Sequence, residues 1–387
     1  MSQLIVDKLE INTALTIPSY TTAQRDSLSV GVGALIYNTD EDGGLQVWDG
    51  SEWVGLAGGA GLYDFINVTF SSGVTGAIGP TISQARNAMS GQGVNLWNTN
   101  TLYYNVDSNG VQSWTVPKSG IYRITAAGAK GGEGNAVNSG RPSGDGAMMR
   151  GEFQLEEGEV YNIIAGVRPN TSGEGGGGGG GSFVWSAGTG NPIIVAGGGG
   201  GNGDVYQGSQ DRSTGRPGNT GTSGTNAKNG GGAQGGTNGN GGSVDNSDQG
   251  PGAGGGFLTS GASGSSGADG GTAATAGGRG GNADSSTNSS STNCGGYGGG
   301  GGESFNNNDA EGAGGGGGYS GGGASGQDDP GGGGGGSFLA DTVQNPFSSN
   351  GSFNITGSEP HPVFSGSVGN LNQYNAGQGY VAITFVQ

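Results

Sequence analysis

Runs of up to seven consecutive glycines set the terms on which this chain can fold: Gly175 to Gly181, Gly197 to Gly201, Gly254 to Gly256, Gly298 to Gly302, Gly314 to Gly318 and Gly331 to Gly336. Glycine has no side chain to bury and loses the most conformational entropy on ordering, so a disordered linker is the first alternative. Apolar clusters that follow the runs, Phe183-Val-Trp185 and Pro192-Ile-Ile-Val-Ala196, argue against it. An ordered run needs a partner for every backbone N–H and C=O. Left-handed helices of three residues per turn, packed side by side, supply them, because without a Cβ the backbones approach closely enough to hydrogen-bond. At about 3.1 Å per residue, five to seven glycines span roughly 15 to 22 Å. The runs are therefore expected to form rods of similar length joined by polar loops. A valine in a rod, as in Gly178→Val, is expected to force neighbours apart, with alanine doing less damage.

Glycine accounts for 98 of 387 residues and hydrophobic residues for 30%, so any apolar core must be local. The formal net charge of -17 repels phosphate backbones and anionic lipid headgroups, which sets aside nucleic acid and membrane insertion as partners. The N-terminal sequence has no basic stretch ahead of an apolar run, and no segment approaches 18 consecutive apolar residues, so neither a signal peptide nor a membrane span is expected. The single cysteine, Cys294, forbids an internal disulfide framework and fits assembly in a reducing cytoplasm; it reads as a small loop residue.

Catalytic side chains are scarce. His361 is the sole histidine and lies between Pro360 and Pro362 in a stiff extended turn. Zinc sites and acyl-transfer triads need several such groups in register. The neighbouring acids Glu156 and Glu157, Asp40 to Asp42, and Asp328 and Asp329 read as solvated turns rather than as a glycosidase pair. Spacings of the GxGxxG kind arise by chance in so glycine-rich a chain, and Gly200 to Asp204 only grazes a calcium-binding nonapeptide. No enzymatic activity, metal or cofactor is expected.

Three regions follow from the pattern. Residues 1–58 carry two short strand-like runs, Gly33 to Asn38 and Leu45 to Trp48, around a turn at 39–44, then a second turn at Asp49-Gly50 before Ser51 to Val54. Trp48 and Trp53 pack on this small sheet, and one hairpin cannot bury both, so association is expected through them and through the leader Leu4-Ile5-Val6. Residues 63–171 alternate with period two over 63–70, 100–106, 111–116, 121–125, 149–155 and 160–164, an antiparallel sandwich with tight hairpins at 117–120 and 156–159. A further strand at 379–386 returns to it, so 346–387 is assigned to the sandwich and 172–345 to an inserted glycine-rich region. The fold class is mostly β: a small N-terminal hairpin module, an antiparallel sandwich and an inserted bundle of polyglycine II helices.

The stretch Ile17-Pro-Ser-Tyr20, Thr22 to Arg25, Leu28, Gly33 to Thr39 and Val47 to Trp53 resembles an N-terminal module of phage fibre and other virion structural proteins. That resemblance implies a virion-attachment and spacer unit, often homotrimeric, with a short leader docking to the particle. From Trp114 to Pro117, Gly120 to Gly132, Gly175 to Gly181, Ile193 to Gly201 and Glu311 to Tyr319, the chain also resembles the extracellular region of the anaplastic lymphoma and leukocyte tyrosine kinase receptors. There a jelly-roll of tumour-necrosis-factor type carries inserted polyglycine helices; the likeness implies fold only. Packed polyglycine helices also occur in tip adhesins of some T-even-like phages.

The expected function is that of a virion-exterior structural protein, a tail fibre or host-attachment adhesin, with the capsid, neck or baseplate decoration role as the alternative and a polysaccharide depolymerase as a lesser one. Expected partners are further copies of the chain, other virion proteins through the N-terminus, and a host cell-surface receptor or glycan. The polar loops 204–228, 245–251, 284–293 and 305–309 exceed what simple connections need and are the receptor-binding candidates. Within or beside them Tyr206, Phe257, Tyr297 and Phe305 are candidate anchors, with plugging the sides of the bundle as their other reading.

Overall fold

The computed structural model describes residues 17–40, 44–57, 62–92, 94, 97–134, 141–170, 175–203, 213–228, 232–245, 250–264, 267–283, 294–304, 312–326, 330–350 and 377–386. Two compact units divide the chain, residues 1–64 and 65–387.

In the first unit a four-stranded sheet is built from β1 (Ser19–Tyr20), β2 (Leu35–Asn38), β3 (Gly44–Trp48) and β4 (Trp53–Ala57) in that order. A five-residue helix, α1 (Thr22–Asp26), follows β1. Thr21 and Gln24 form a capping box at its start, each side chain bonding the other's backbone N–H. The β2–β3 hairpin is where alternation puts it. Helix α1 is too short to leave a 3.6-residue stripe, and only Thr21-x-x-Gln24 marks its start in the sequence.

In the second unit β5 (Asn67–Phe70), α2 (Ile82–Ala88), β6 (Tyr104–Val106), β7 (Gln112–Thr115), β8 (Gly120–Ala127), β9 (Ala147–Leu155), β10 (Val160–Ile164), β11 (Ser182–Ser186), β12 (Pro192–Ala196), β13 (Phe338–Leu339), β14 (Gln344–Asn350) and β15 (Tyr380–Phe385) follow one another. Two antiparallel sheets result, ordered β13-β12-β11-β10-β7-β6 and β14-β9-β8-β15-β5. The fold is mostly β. Aromatic rings fill the space between the sheets: Trp114 of β7 meets Tyr122 of β8 at 5.7 Å, and Phe65 lies 5.4 Å from Trp114. Burial pushes the Tyr122 phenol up to about 12, and its hydroxyl donates a hydrogen bond to the Lys118 carbonyl at 2.8 Å.

Two expectations are corrected here. The turns at 117–120 and 156–159 are not hairpins. Each passes the chain from one sheet to the other, since β7 and β10 lie in the six-stranded sheet and β8 and β9 in the five-stranded one. The two corners hydrogen-bond side by side, Val116 N–H to the Glu159 carbonyl at 2.8 Å and the Ser119 hydroxyl to Glu156 Oε2 at 2.8 Å. The assignment of 172–345 to a separate insertion also fails, because β11, β12 and β13 are strands of the six-stranded sheet. Phe183-Val-Trp185 reads as a continuous apolar run because β11 is covered on both faces.

The glycine segments prolong these strands. Chain 128–134 continues β8, 197–203 continues β12, and 175–181 and 331–337 lead into β11 and β13. Along 197–203 the partner changes with every residue and returns every third. Gly198 and Gly201 donate to Gly317 and Gly314, Gly199 and Asn202 to Ala129 and Gly132, and Gly200 and Gly203 to Arg216 and Ser213. Its carbonyls accept in the same rotation from Gly335 and Gly332, Gly179 and Gly176, and Ala147 and Gly144, so this one rod is bonded to six neighbours. None of the glycines in 175–181, 197–201, 314–318 and 331–336 has a positive φ. With partners that repeat every third residue, consecutive amides point to different neighbours, which satisfies the backbone without any side chain.

Candidate functional surfaces

The rods have two chemically different ends. At the end beside the sheets the turns are aromatic. Phe257 packs against Phe183 at 6.5 Å, Trp185 at 6.0 Å and Tyr319 at 6.5 Å, and Tyr319 stacks on Phe338 at 4.7 Å. Phe257 is 2% exposed, and Tyr297, in the same cluster, is fully buried, its phenol pushed far up by desolvation. Both were candidate receptor anchors from sequence. Their packing matches the other reading given for them, a plug at the side of the bundle: both lie in a buried cluster that covers the outer side of the six-stranded sheet.

At the remote end polar side chains terminate the rods. The fully buried Asn202 donates through Nδ2 to the Arg141 carbonyl at 2.9 Å and accepts from Gly134 N–H at 2.7 Å. Glu303, equally buried, accepts from Gly175 N–H through Oε1 at 2.7 Å. Asp245 accepts from the Ser325 hydroxyl and from Gly326 N–H. Where a rod ends, its outermost amides lose the neighbour that would bond them, and these side chains take its place. Nearby, Glu133 is bound by Lys130 and, at 2.9 Å, by Arg168. Burial pushes its carboxyl up, but the hydrogen bonds and charges of the two cations outweigh this, and its pKa falls below the ordinary range. In the sequence these ends are marked by a polar residue closing a glycine run, as in Gly201-Asn202 and Gly302-Glu303-Ser304.

Residues 135–140, 171–174, 204–212, 229–231, 246–249, 265–266, 284–293, 305–311 and 327–329, which intervene in sequence between the rods, lie outside the described residues. Tyr206 and Phe305 lie there; Leu4, Ile5, Val6 and His361 are likewise outside the described residues. The long loop expected over 204–228 is in part a rod: Arg216 N–H donates to the Gly332 carbonyl at 2.9 Å and Gly218 N–H to the Asp145 carbonyl at 2.8 Å, so 213–219 joins the bundle. Cys294 is buried, and burial pushes its thiol up. Among the described residues no three His, Cys, Asp or Glu side chains group closely enough to hold a metal, and no helix is long and apolar enough to cross a membrane.

In the first unit Trp48 and Trp53 face each other across β3 and β4, ring centroids 5.6 Å apart, both partly buried. The Asp49-Gly50 turn between them is tied by Asp49 Oδ1, which accepts from the N–H of Ser51 at 2.7 Å and of Glu52 at 2.8 Å. Residues 2–75 match a protein family described as "Phage tail like trimerisation region". The match supports a phage tail-type structural protein, a virion component that assembles as a homotrimer.

Proposed function

We propose that this protein is a non-enzymatic host-attachment adhesin of a phage tail, held to the particle through its N-terminal region, which binds a cell-surface receptor or glycan through the connections at the remote ends of its glycine rods. The observation that carries the reading is the division of labour between the rod ends. The sheet-side turns are committed to an aromatic core, and the rods themselves are committed to backbone hydrogen bonding. The remote connections are left as the part of the sequence free to change without loss of fold. In this reading the rods are polyglycine II helices, supported by the three-residue rotation of their hydrogen bonds, and the sandwich is a jelly-roll of tumour-necrosis-factor type, supported by its two antiparallel sheets.

Exchange of 204–212 and 284–293 for short Gly-Ser connections tests it. Replacement must stop at 212 to spare the rod that follows. Cell adsorption is expected to be lost while particle assembly continues. Unchanged adsorption with both segments gone would instead favour a structural role in capsid, neck or baseplate.

A further inference from the structure

Strand register sorts the side chains of the N-terminal sheet into two unlike faces. Directly paired residues share a face, so Ile36 with Gln46 and Asn38 with Gly44 form one, and Leu35 with Val47 and Tyr37 with Leu45 form the other. Helix α1 covers the first. Asn38 Nδ2 donates to the Thr22 hydroxyl at 3.1 Å and Arg25 Nη1 to Gln46 Oε1 at 3.2 Å, and Ile36 and Asn38 are 2% and 3% exposed. Trp48, two residues beyond Gln46, falls on this helix side with its partner Trp53.

Across β2 and β3 the second face presents Leu35, Tyr37, Leu45 and Val47, with Ser19 of β1 beside Tyr37 at its edge; Tyr37 is 50% exposed and Leu35, Leu45 and Val47 are only partly buried. An antiparallel sheet with a solvated face normally alternates to polar residues there. The β2–β3 pair does not, and among the described residues no helix or strand of its own unit is assigned to that side by a hydrogen bond or ring contact.

We infer that Leu35, Tyr37, Leu45 and Val47 form the contact between copies, three such faces turning toward a common axis to enclose one shared core. The inference rests on the homotrimer reading and names the surface within it: the match to a trimerisation region includes all four residues. It moves the contact from the tryptophan pair, which serves the helix side, to the opposite face. A sheet of strands two to five residues long cannot form a stable core by itself, and a core completed by two further copies resolves that deficit.

The test uses the full chain. Native mass is measured for the parent, for Tyr37→Glu combined with Val47→Glu, and for Ala23→Glu, which adds a charge on the exposed helix. The parent and Ala23→Glu are expected to be trimers, and the double variant, with its far-ultraviolet circular dichroism unchanged, to fall about threefold in mass as like carboxylates meet at the axis. In case the double variant misfolds, Tyr37→Cys is oxidised in the assembled protein: covalent dimers are expected on a non-reducing gel, and none from Ala23→Cys. A monomeric parent would overturn the homotrimer reading itself. A trimeric parent with either a folded double variant that remains trimeric or an unlinked Tyr37→Cys overturns this face alone, the result expected if the chain's own residues 1–16 cover it.

Discussion

Gly178→Ala is expected to destabilise the second unit by about 3 kcal/mol, the upper end of the usual overpacking range, and to lower its thermal midpoint by about 5 °C or more. A Cβ on Gly178 would lie 1.9 Å from the carbonyl oxygen of Gly315 and 2.4 Å from its carbon. These are backbone atoms of a neighbouring rod, with no rotamer to escape into. Gly178 N–H donates to the Gly301 carbonyl at 2.9 Å and its carbonyl accepts from Gly296 at 2.8 Å, so the rod cannot slide away without breaking bonds on its other sides. The milder outcome expected for alanine from sequence is therefore revised: the first carbon atom already exceeds the space, and valine adds to a clash rather than creating it. Gly232→Ala is the control, because it lies in the same glycine-rich region, is exposed and has nothing within 4 Å of its Cβ. Thermal melts that leave both variants at the parental midpoint would mean that the rods are not packed as described.

Phe257→Ala is expected to cost about 3–5 kcal/mol, the range for removing a large aromatic side chain from a packed core. Its ring is held between Phe183, Trp185 and Tyr319, and the chain there is fixed by its own N–H donating to the Tyr319 carbonyl at 2.8 Å. Denaturant unfolding measures the loss. The opposite result, parental stability with lost cell adsorption, would return Phe257 to the role of receptor anchor.

The strands were legible because alternation survives in them: β8, β9, β10 and β15 lie where period-two runs end at Gly, Pro or acidic turns. Which sheet a strand joins was not. A Pro117-to-Gly120 turn is chemically the same whether it closes a hairpin or crosses between sheets; the difference is set by tertiary pairing. Helix α2 escaped for the reason that α1 did: seven residues with one buried side chain, Ala85, leave no apolar stripe, and only the Thr81–Gln84 capping box marks it. The rods were legible through what glycine lacks. Which of their two readings Phe257 and Tyr297 take, anchor or plug, was not legible, because they stand among glycines and small residues where nothing local reveals that a turn folds back onto β11.

The account's central claim, that the chain is itself the receptor-binding element, is tested most directly by adding the purified, intact protein to host cells before the phage. Saturation of the cells with the parent chain is expected to lower phage adsorption in a dose-dependent manner, and the chain lacking 204–212 and 284–293 is expected to leave it unchanged. Phage adsorption undiminished by the parent chain, with no chain retained on washed cells, would contradict the account.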